Sequence, residues 1–374
     1  MQTSFLQDRA RALAPSPALA ARRSLLPVVV MAALVLLLQF AIGPRIGPYY
    51  AKMLMDIGIN IMLAVSLNIV NGYTGQFSIG HAGFMAVGGY TAGFITYYGS
   101  LLIWGSTQPH GGFLGAGELL FAVSCLVGGL TAAGFGYIVG LPSLRLRGDY
   151  LALVTLGFGE IVRVFIQQTD DVLFTAEDVR ATAPLALLTK VGGALGFTGL
   201  PFYTNLFWVW TFVAITILVA YRLKFSSHGR AFLSVREDEI AAEAMGIPTT
   251  AVKVRAFMIA AAFAGIAGAL FAHEVGTTLN PKELGFQKSF EVVIMVVLGG
   301  MGSISGVVLA AVLITVLPEL LRSVAEYRMV VYALALIVMM LARPQGLLGL
   351  HEAWELPWVR RLLRSLVRQE PKDG

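Results

Sequence analysis

Long apolar runs separated by short polar segments extend along almost the whole chain. A helix needs roughly 20 consecutive apolar residues to cross the hydrocarbon core of a bilayer, and most of these runs approach that length. The pattern therefore predicts an all-α polytopic membrane protein. The runs lie near residues 24–42, 53–71, 77–98, 118–141, 150–168, 205–221, 256–273, 289–317 and 329–342.

The run at 289–317 is long for a single span, and Gly299, Gly300 and Gly302 interrupt it. Both ends of the chain are rich in arginine, which is typical of segments on the cytoplasmic side of a membrane. Two cytoplasmic ends require an even number of crossings, so we predict a split at these glycines and about ten spanning helices. The arginines that support this orientation are Arg9, Arg11, Arg22, Arg23, Arg360, Arg361, Arg364 and Arg368.

The split run has two interpretations. Short segments interrupted by glycine often flank the pathway or a hinge of a transporter, which would make Gly299, Gly300 and Gly302 hinge residues. The alternative is a re-entrant pair of helices that only fills space. The local pattern does not decide between them.

The predicted topology gives three regions. A cytoplasmic N-terminal tail covers residues 1–23, a transmembrane domain covers residues 24–350, and a cytoplasmic C-terminal tail covers residues 351–374. Within the transmembrane domain, residues 222–255 form a cytoplasmic loop, because lysine and arginine flank it on both sides.

The composition agrees with a membrane protein. The chain has 374 residues, of which 57% are hydrophobic and 13% are charged, and its mean hydropathy is +0.75. The net charge is +5. The basic residues lie between apolar runs and do not form one patch, which argues against nucleic acid as a partner. The single cysteine, Cys125, cannot form an internal disulfide.

The sequence lacks the motifs of an enzyme or of an energy-converting site. It contains no Gly-Lys dipeptide and therefore no Walker A phosphate-binding loop. No set of cysteine and histidine has the spacing of a metal site, and no Ser-His-Asp set or carboxylate pair indicates hydrolysis. We therefore predict a transport subunit that holds no cofactor or metal itself and receives its energy from a partner.

Several spans carry small residues at intervals of four positions. Small residues allow the backbones of neighbouring helices to approach closely, which drives helix association in lipid. The pattern predicts a densely packed bundle. The stripes are Gly128, Ala132, Gly136 and Gly140; Ala261, Gly265 and Ala269; and Ala260, Ala264 and Gly268.

A short charged segment, residues 234–246, lies within the predicted cytoplasmic loop. Ser234 and Glu237 have the spacing of a capping box, and Gly246 stands where a helix ends. The pattern predicts one helix of about 11 residues, roughly 16 Å long. Its apolar residues pair at intervals of four, Ile240 with Ala244 and Ala241 with Met245. The helix is either a solvated connector or a docking helix that inserts this apolar surface into a soluble partner.

Polar residues within the spans are candidates for the translocation pathway, because polar groups are costly in lipid. Glu160 can pair with Arg163 as a structural ion pair, or it can belong to a proton or ion relay. Asp56 and Glu291 lie near the predicted ends of spans and are expected at the membrane interface. The pathway candidates are Asn60, Asn68, Gln76, Ser78, His81, Tyr90 and Glu160.

Five blocks of this sequence resemble the permease subunits of bacterial branched-chain amino acid ABC transporters, specifically the M-type of the two permeases. They occur in the order of the family and cover roughly residues 50–350. One departure is the segment 174–180, where relatives often have a Thr-Gly-Gly-rich stretch. The blocks are Gly72–His81, Leu144–Tyr150 with Leu156–Glu160, Arg236–Gly246, Leu298–Ser303 and Arg343–Gly346.

The resemblance implies partners that the residues themselves do not report. These are a sister permease in a heterodimer, two cytoplasmic ATPase subunits that bind ATP, and a periplasmic substrate-binding protein. It also implies that the charged segment engages the ATPases, as the coupling element of a bacterial inner-membrane importer. The implied coupling residues are Arg236, Glu237, Glu239, Ile240, Ala241, Glu243, Ala244 and Gly246.

The predicted function is therefore that of a permease subunit of an ATP-driven importer for branched-chain or other aliphatic amino acids. A permease for urea or short amides is the alternative within the same class, because related permeases carry them. A secondary transporter driven through Glu160 and a passive channel are the alternatives from other classes.

Overall fold

The computed structural model describes residues 29–143, 149–275, 278–321, 328–343, 345–349 and 351–355. The arginine-rich parts of both predicted tails, and residues 144–148 of one resemblance block, lie outside the described residues. The rest of the predicted spans can be compared with the structure directly.

The described residues are almost entirely helical, and each predicted apolar run contains a helix. The only sheet in the described part of the chain is one antiparallel pair of two-residue strands, β1 (Phe197–Thr198) and β2 (Thr278–Leu279). The helices are α1 (Val29–Arg45), α2 (Pro48–Asn68, continued by a π-helical turn to Tyr73), α3 (His81–Trp104), α4 (Ala116–Ser143), α5 (Asp149–Gln167), α6 (Ala176–Ala181), α7 (Pro184–Leu187), α8 (Leu206–Lys224), α9 (Ser227–Glu237), α10 (Glu239–Ala244), α11 (Thr249–Val275), α12 (Phe286–Gly299), α13 (Ile304–Leu320) and α14 (Arg328–Ala342).

The predicted fold class is confirmed. In the part of the chain that the structure describes, five helices are long and apolar enough to cross a membrane, namely α2, α4, α5, α8 and α11, and α1 and α13 are shorter apolar helices. The chain is thus an all-α polytopic membrane protein. The predicted split of the 289–317 run is also confirmed, because α12 ends at Gly299 and α13 begins at Ile304.

The centre of the bundle consists of α2 and α11. About three quarters of the apolar stretch of each helix is buried, against 22% for α5 at the periphery. The predicted small-residue stripes lie where α3, α4 and α11 cross. A Cβ added to Gly88 would lie 2.2 Å from the Cα of Gly265, and one added to Gly265 would lie 2.7 Å from the carbonyl oxygen of Gly128. The three backbones are therefore in direct contact, as the stripes predict.

The helix α12 begins inside the bundle and not at its end. Lys288, in its first turn, donates a hydrogen bond of 2.9 Å to Asn60, which is halfway along the apolar stretch Pro48–Tyr73. Ser289 accepts a hydrogen bond from the backbone of Ala82. The interface position of Glu291 stays a prediction. The helix that carries it is preceded by β2 and a 3-10 turn, which lead the chain into the bundle.

Candidate functional site

The charged segment folds as two helices and not as the predicted single one. The helix α9 ends at Glu237, Asp238 is extended, and α10 runs from Glu239 to Ala244. The Ser234 hydroxyl does not cap a helix; it donates to the carbonyl oxygen of Ala231 within α9. We call residues 226–247, which contain both helices, the coupling segment.

Asp238 is the reason for the break. Its carboxylate accepts hydrogen bonds from the backbone N–H groups of Ile240 and Ala241, so it caps α10 with a charged acceptor. The predicted C-terminal stop is confirmed. Gly246 has a φ of 83°, and the N–H groups of Gly246 and Ile247 bond to the carbonyl groups of Glu243 and Ala242. This is the Schellman pattern, in which glycine supplies the left-handed conformation.

The coupling segment exposes the predicted apolar surface. Ile240 is 68% exposed and Met245 is 83% exposed, and Ala241 and Ala244 beside them are also exposed. Ala242 is buried against the bundle. Large apolar side chains this exposed on an otherwise charged segment are typical of an interaction surface.

Two polar contacts join the coupling segment to the spanning helices. Glu239 pairs with Lys253 of α11 at 2.6 Å, and the Lys253 side chain is only 6% exposed. Arg236 donates to the carbonyl oxygen of Gly72 at 2.7 Å, and its side chain lies against Gly75. The segment is therefore tied to α11 and to the end of α2. Of the remaining predicted coupling residues, Glu237 and Glu243 are exposed.

The predicted glycine hinge lies directly beside the end of α2. Gly300 and Gly302 have φ values of 102° and 98°, a conformation that favours glycine. The Asn68 side chain accepts from the N–H of Gly302 and donates to the carbonyl oxygen of Ser303. A Cβ on Gly72 would lie 2.5 Å from the Gly302 nitrogen. Gly72, whose carbonyl oxygen accepts the hydrogen bond from Arg236, therefore also contacts the predicted hinge.

A C-terminal strap, residues 345–355, covers the same hinge. A Cβ on Gly346 would lie 2.5 Å from the Cα of Gly300, and the N–H of Leu347 donates to the carbonyl oxygen of Leu298 at 2.7 Å. Two of the resemblance blocks, Leu298–Ser303 and Arg343–Gly346, therefore contact each other. Their separation in the sequence gave no indication of this contact.

Glu352 fastens the strap to the start of α13. Its buried carboxylate accepts hydrogen bonds from the backbone of Ile304 and Ser305 and from Lys224, which also donates to the carbonyl oxygen of Gly302. Burial alone would raise the pKa of the Glu352 carboxyl, but the bonds from Lys224, Ser305 and Ile304 outweigh it and lower the pKa below the ordinary 4.5. The linear pattern does not single out Glu352, because its partners are far away in the chain.

We expect Glu352→Ala to release the strap. The change leaves the Lys224 ammonium, whose side chain is mostly buried, with only the Gly302 carbonyl oxygen and no carboxylate. Loss of one partner of a buried ion pair typically costs about 3–5 kcal/mol. Because the pKa of Glu352 is lowered, this contribution is present above pH 4.5 and is lost only as the pH falls through the lower folded pKa. Limited proteolysis after residue 343 measures the release. Glu355→Ala is the matched control, because its contacts to His351 and to the backbone of Glu352 stay within the strap. Equal cleavage of both variants would contradict the prediction.

The candidate pathway residues are distributed over separate contacts. His81 is buried and forms a hydrogen bond of 2.8 Å with Ser66, and Ser78 bonds through its backbone to Asn71. The amide of Gln76 is buried without a hydrogen-bond partner among the described residues. These three residues lie where the chain passes from α2 into α3, and their pathway role stays a prediction.

Tyr90 and Glu160 lie elsewhere and hold the segment before α12. The Tyr90 hydroxyl donates to the carbonyl oxygen of Leu279 at 2.7 Å. Glu160 pairs with Arg163 at 2.7 Å and accepts a hydrogen bond from the backbone of Phe286. Both contacts favour a structural role. The described residues contain no group of three side chains that could hold a metal ion.

Comparisons with known proteins identify the family. The family of the permease component of the branched-chain amino acid transport system matches residues 49–342. The chain is 37% identical over 307 residues to the high-affinity branched-chain amino acid transport system permease protein LivM of Salmonella typhimurium, covering 78% of this chain and 68% of the relative. It is 26% identical over 294 residues to the high-affinity branched-chain amino acid transport system permease protein LivH of Escherichia coli, covering 78% of this chain and 91% of the relative. No solved structure matches this chain.

The family match spans the helices from α2 to α14, which include the coupling segment and the glycine hinge. It thus agrees with the all-α membrane fold and with the resemblance of the five blocks. The chain belongs to the family of permease components of branched-chain amino acid transport systems.

Proposed function

We propose that this protein is the membrane-spanning permease subunit of an ATP-driven importer for branched-chain or other aliphatic amino acids, and that partner ATPases move it through the coupling segment. The observation that carries the proposal is the exposed pair Ile240 and Met245 on a segment that bonds to two spanning helices. A docking helix with an apolar surface is a common way to engage the groove of a soluble partner.

The contacts provide a route from the docking surface to the hinge. A displacement of α10 pulls on α11 through Glu239 and Lys253. A displacement of α9 pulls on the end of α2 through Arg236 and Gly72, and Gly72 contacts Gly302. Since packed helices shift as rigid elements, motion at the coupling segment reaches the break between α12 and α13.

The proposed assembly contains a sister permease, two ATPase subunits that bind ATP, and a substrate-binding protein on the opposite side of the inner membrane. The relatives support it, because both LivM and LivH are named as permeases of one transport system. The termini and the coupling segment are then cytoplasmic. The chain itself acts as a transport subunit and leaves ATP hydrolysis to its partners.

Reconstituted uptake tests the class of transporter. We expect vesicles that contain this chain, the sister permease and the ATPases to accumulate leucine from the loaded binding protein only while ATP is hydrolysed. A non-hydrolysable ATP analogue is the control and is expected to give no accumulation. Uptake by this chain alone, driven by a proton gradient, would contradict the proposal and support the secondary transporter.

A further inference from the structure

A group of charged and amide side chains extends from one end of the bundle into its interior on the face formed by α2, α11, α12 and α13. We call it the polar cluster and define it as Lys52, Asp56, Asn60, Glu274, Lys288 and Glu291. We propose that the polar cluster binds the α-ammonium and α-carboxylate groups of the transported amino acid. This inference rests on the proposed function and names its substrate-binding site.

The first half of the cluster joins α2 to α11. The Lys52 ammonium is 3.6 Å from a carboxylate oxygen of Asp56 and 3.4 Å from Oε1 of Glu274. Asp56 also interacts electrostatically with Lys288 and Glu291. Glu274 interacts electrostatically with Lys288 as well, so the two halves of the cluster are neighbours.

The second half joins α2 to α12 and α13. The Lys288 ammonium is 3.1 Å from Oε2 of Glu291 and 2.9 Å from the side-chain oxygen of Asn60. The Asn60 nitrogen donates to the hydroxyl of Thr315 at 2.9 Å. Three helices therefore meet around a single amide group.

The cluster extends inward from Lys52 and Glu274, which lie near the first residue of α2 and the last residue of α11. Asp56 is about 12 Å and Asn60 about 18 Å from the start of α2 at 1.5 Å per residue. Charged side chains at such depth face the bundle interior or a water-filled cavity. Nevertheless the side chains of Lys52 and Asp56 are 55% and 35% exposed on the single chain. This face must therefore border water or a polar partner surface, which is the position of a pathway between two permeases.

Glu274 supplies an independent indication of a ligand. Its side chain is 1% exposed, and its Oε2 has no hydrogen-bond partner among the described residues. A buried carboxylate oxygen without a donor is unfavourable. An ammonium group that enters the cluster would supply the missing donor.

The opposite charge comes from Lys288, in the first turn of α12. The first N–H of this helix, that of Phe286, already donates to Glu160. The Lys288 ammonium, and not the helix end, is therefore the cation of the cluster. The cluster thus offers acids to an ammonium and a cation to a carboxylate. That combination suits a zwitterion better than an uncharged amide such as urea.

Cysteine labelling in the complete transporter tests whether the cluster borders water. The native Cys125 is buried, so a charged methanethiosulfonate reagent has little background reaction. We expect Glu291→Cys to be labelled in the assembled complex, and Leu309→Cys, an exposed apolar position of α13, to react at least tenfold more slowly. Labelling of Glu291→Cys at the same rate as Leu309→Cys, or no labelling of Glu291→Cys, would overturn the proposal.

Uptake by the same complex tests the binding role. With leucine supplied on the saturated binding protein, Glu274→Gln and Lys288→Met should each lower the leucine delivered per ATP hydrolysed by at least tenfold, while Leu309→Cys keeps the wild-type ratio. An unchanged ratio in both variants would overturn the proposal. Failure of both variants to assemble with the sister permease would also overturn the proposal, because the cluster would then be a network of ion pairs at the interface between the two permeases. ATP-driven uptake by the wild-type complex supports the proposed function whatever these variants do.

Discussion

Gly268→Ala is expected to prevent stable assembly of the helix bundle, although it adds only one methyl group. That Cβ would lie 1.9 Å from the carbonyl oxygen of Met85 and 3.0 Å from the nitrogen of Gly89. Backbone atoms cannot move aside as a flexible side chain can, so α3 and α11 would have to separate. Overpacking typically costs about 1–3 kcal/mol, and we expect more than about 3 kcal/mol here because the clash is with the backbone of a central helix.

Gly134→Ala is the matched control for this change. Gly134 lies in α4, and a Cβ there meets nothing within 4 Å. Alanine is favoured over glycine within a helix by roughly 0.5–1 kcal/mol, so this variant should be neutral or slightly more stable. The measurement is the amount of monodisperse complex after detergent extraction, together with its Tm. A normal yield and Tm for Gly268→Ala would show that α3 and α11 do not cross as closely as described.

The second large effect is expected from Ile240→Asp combined with Met245→Asp. Ile240 is exposed on α10 and Met245 directly after it, and aspartate at the centre of a buried interface would bring unpaired charge with it. Loss of an interface hot spot costs about 2 kcal/mol or more, which corresponds to roughly a 30-fold weaker affinity. We therefore expect ATPase binding to fall by at least about 30-fold and ATP-driven uptake to stop, while the bundle itself stays folded.

Leu185→Asp controls for the general effect of a new charge on the surface. Leu185 is 83% exposed, as is Met245, but it lies in α7, away from the coupling segment. The segment that follows α7 bonds to the C-terminal part of α3, through the Lys190 carbonyl group and Tyr98. Purified ATPase subunits should bind this variant with wild-type affinity. If they bind the double variant equally well, the coupling segment is only a connector between α8 and α11.

The local pattern determined most of the architecture. Apolar run lengths predicted the helices, and the break at Gly300–Ser303 followed from the glycines within the 289–317 run. The spacing of small residues predicted a densely packed bundle, and the structure shows that the stripes of α4 and α11 pack against α3. These features depend on residues within one or two helical turns, so a linear reading can detect them. The helix break in the coupling segment was missed because Ser234 and Asp238 are both good caps. Ser234 lies inside α9, which is capped by Ser226, and Asp238 caps α10.

Tertiary contacts alone decided which residues form the polar cluster. Asn60 and Lys288 are 228 positions apart, and Glu352 reaches a helix start that precedes it by almost 50 residues. The linear pattern does not predict that α12 begins halfway along α2. This position depends on β2 and Tyr90, which hold the preceding segment inside the bundle. The sequence by itself therefore established a membrane helix bundle with a short charged segment that carries an apolar surface. The tertiary structure decided which polar groups meet, since charges that are distant along the chain become neighbours only when the helices pack.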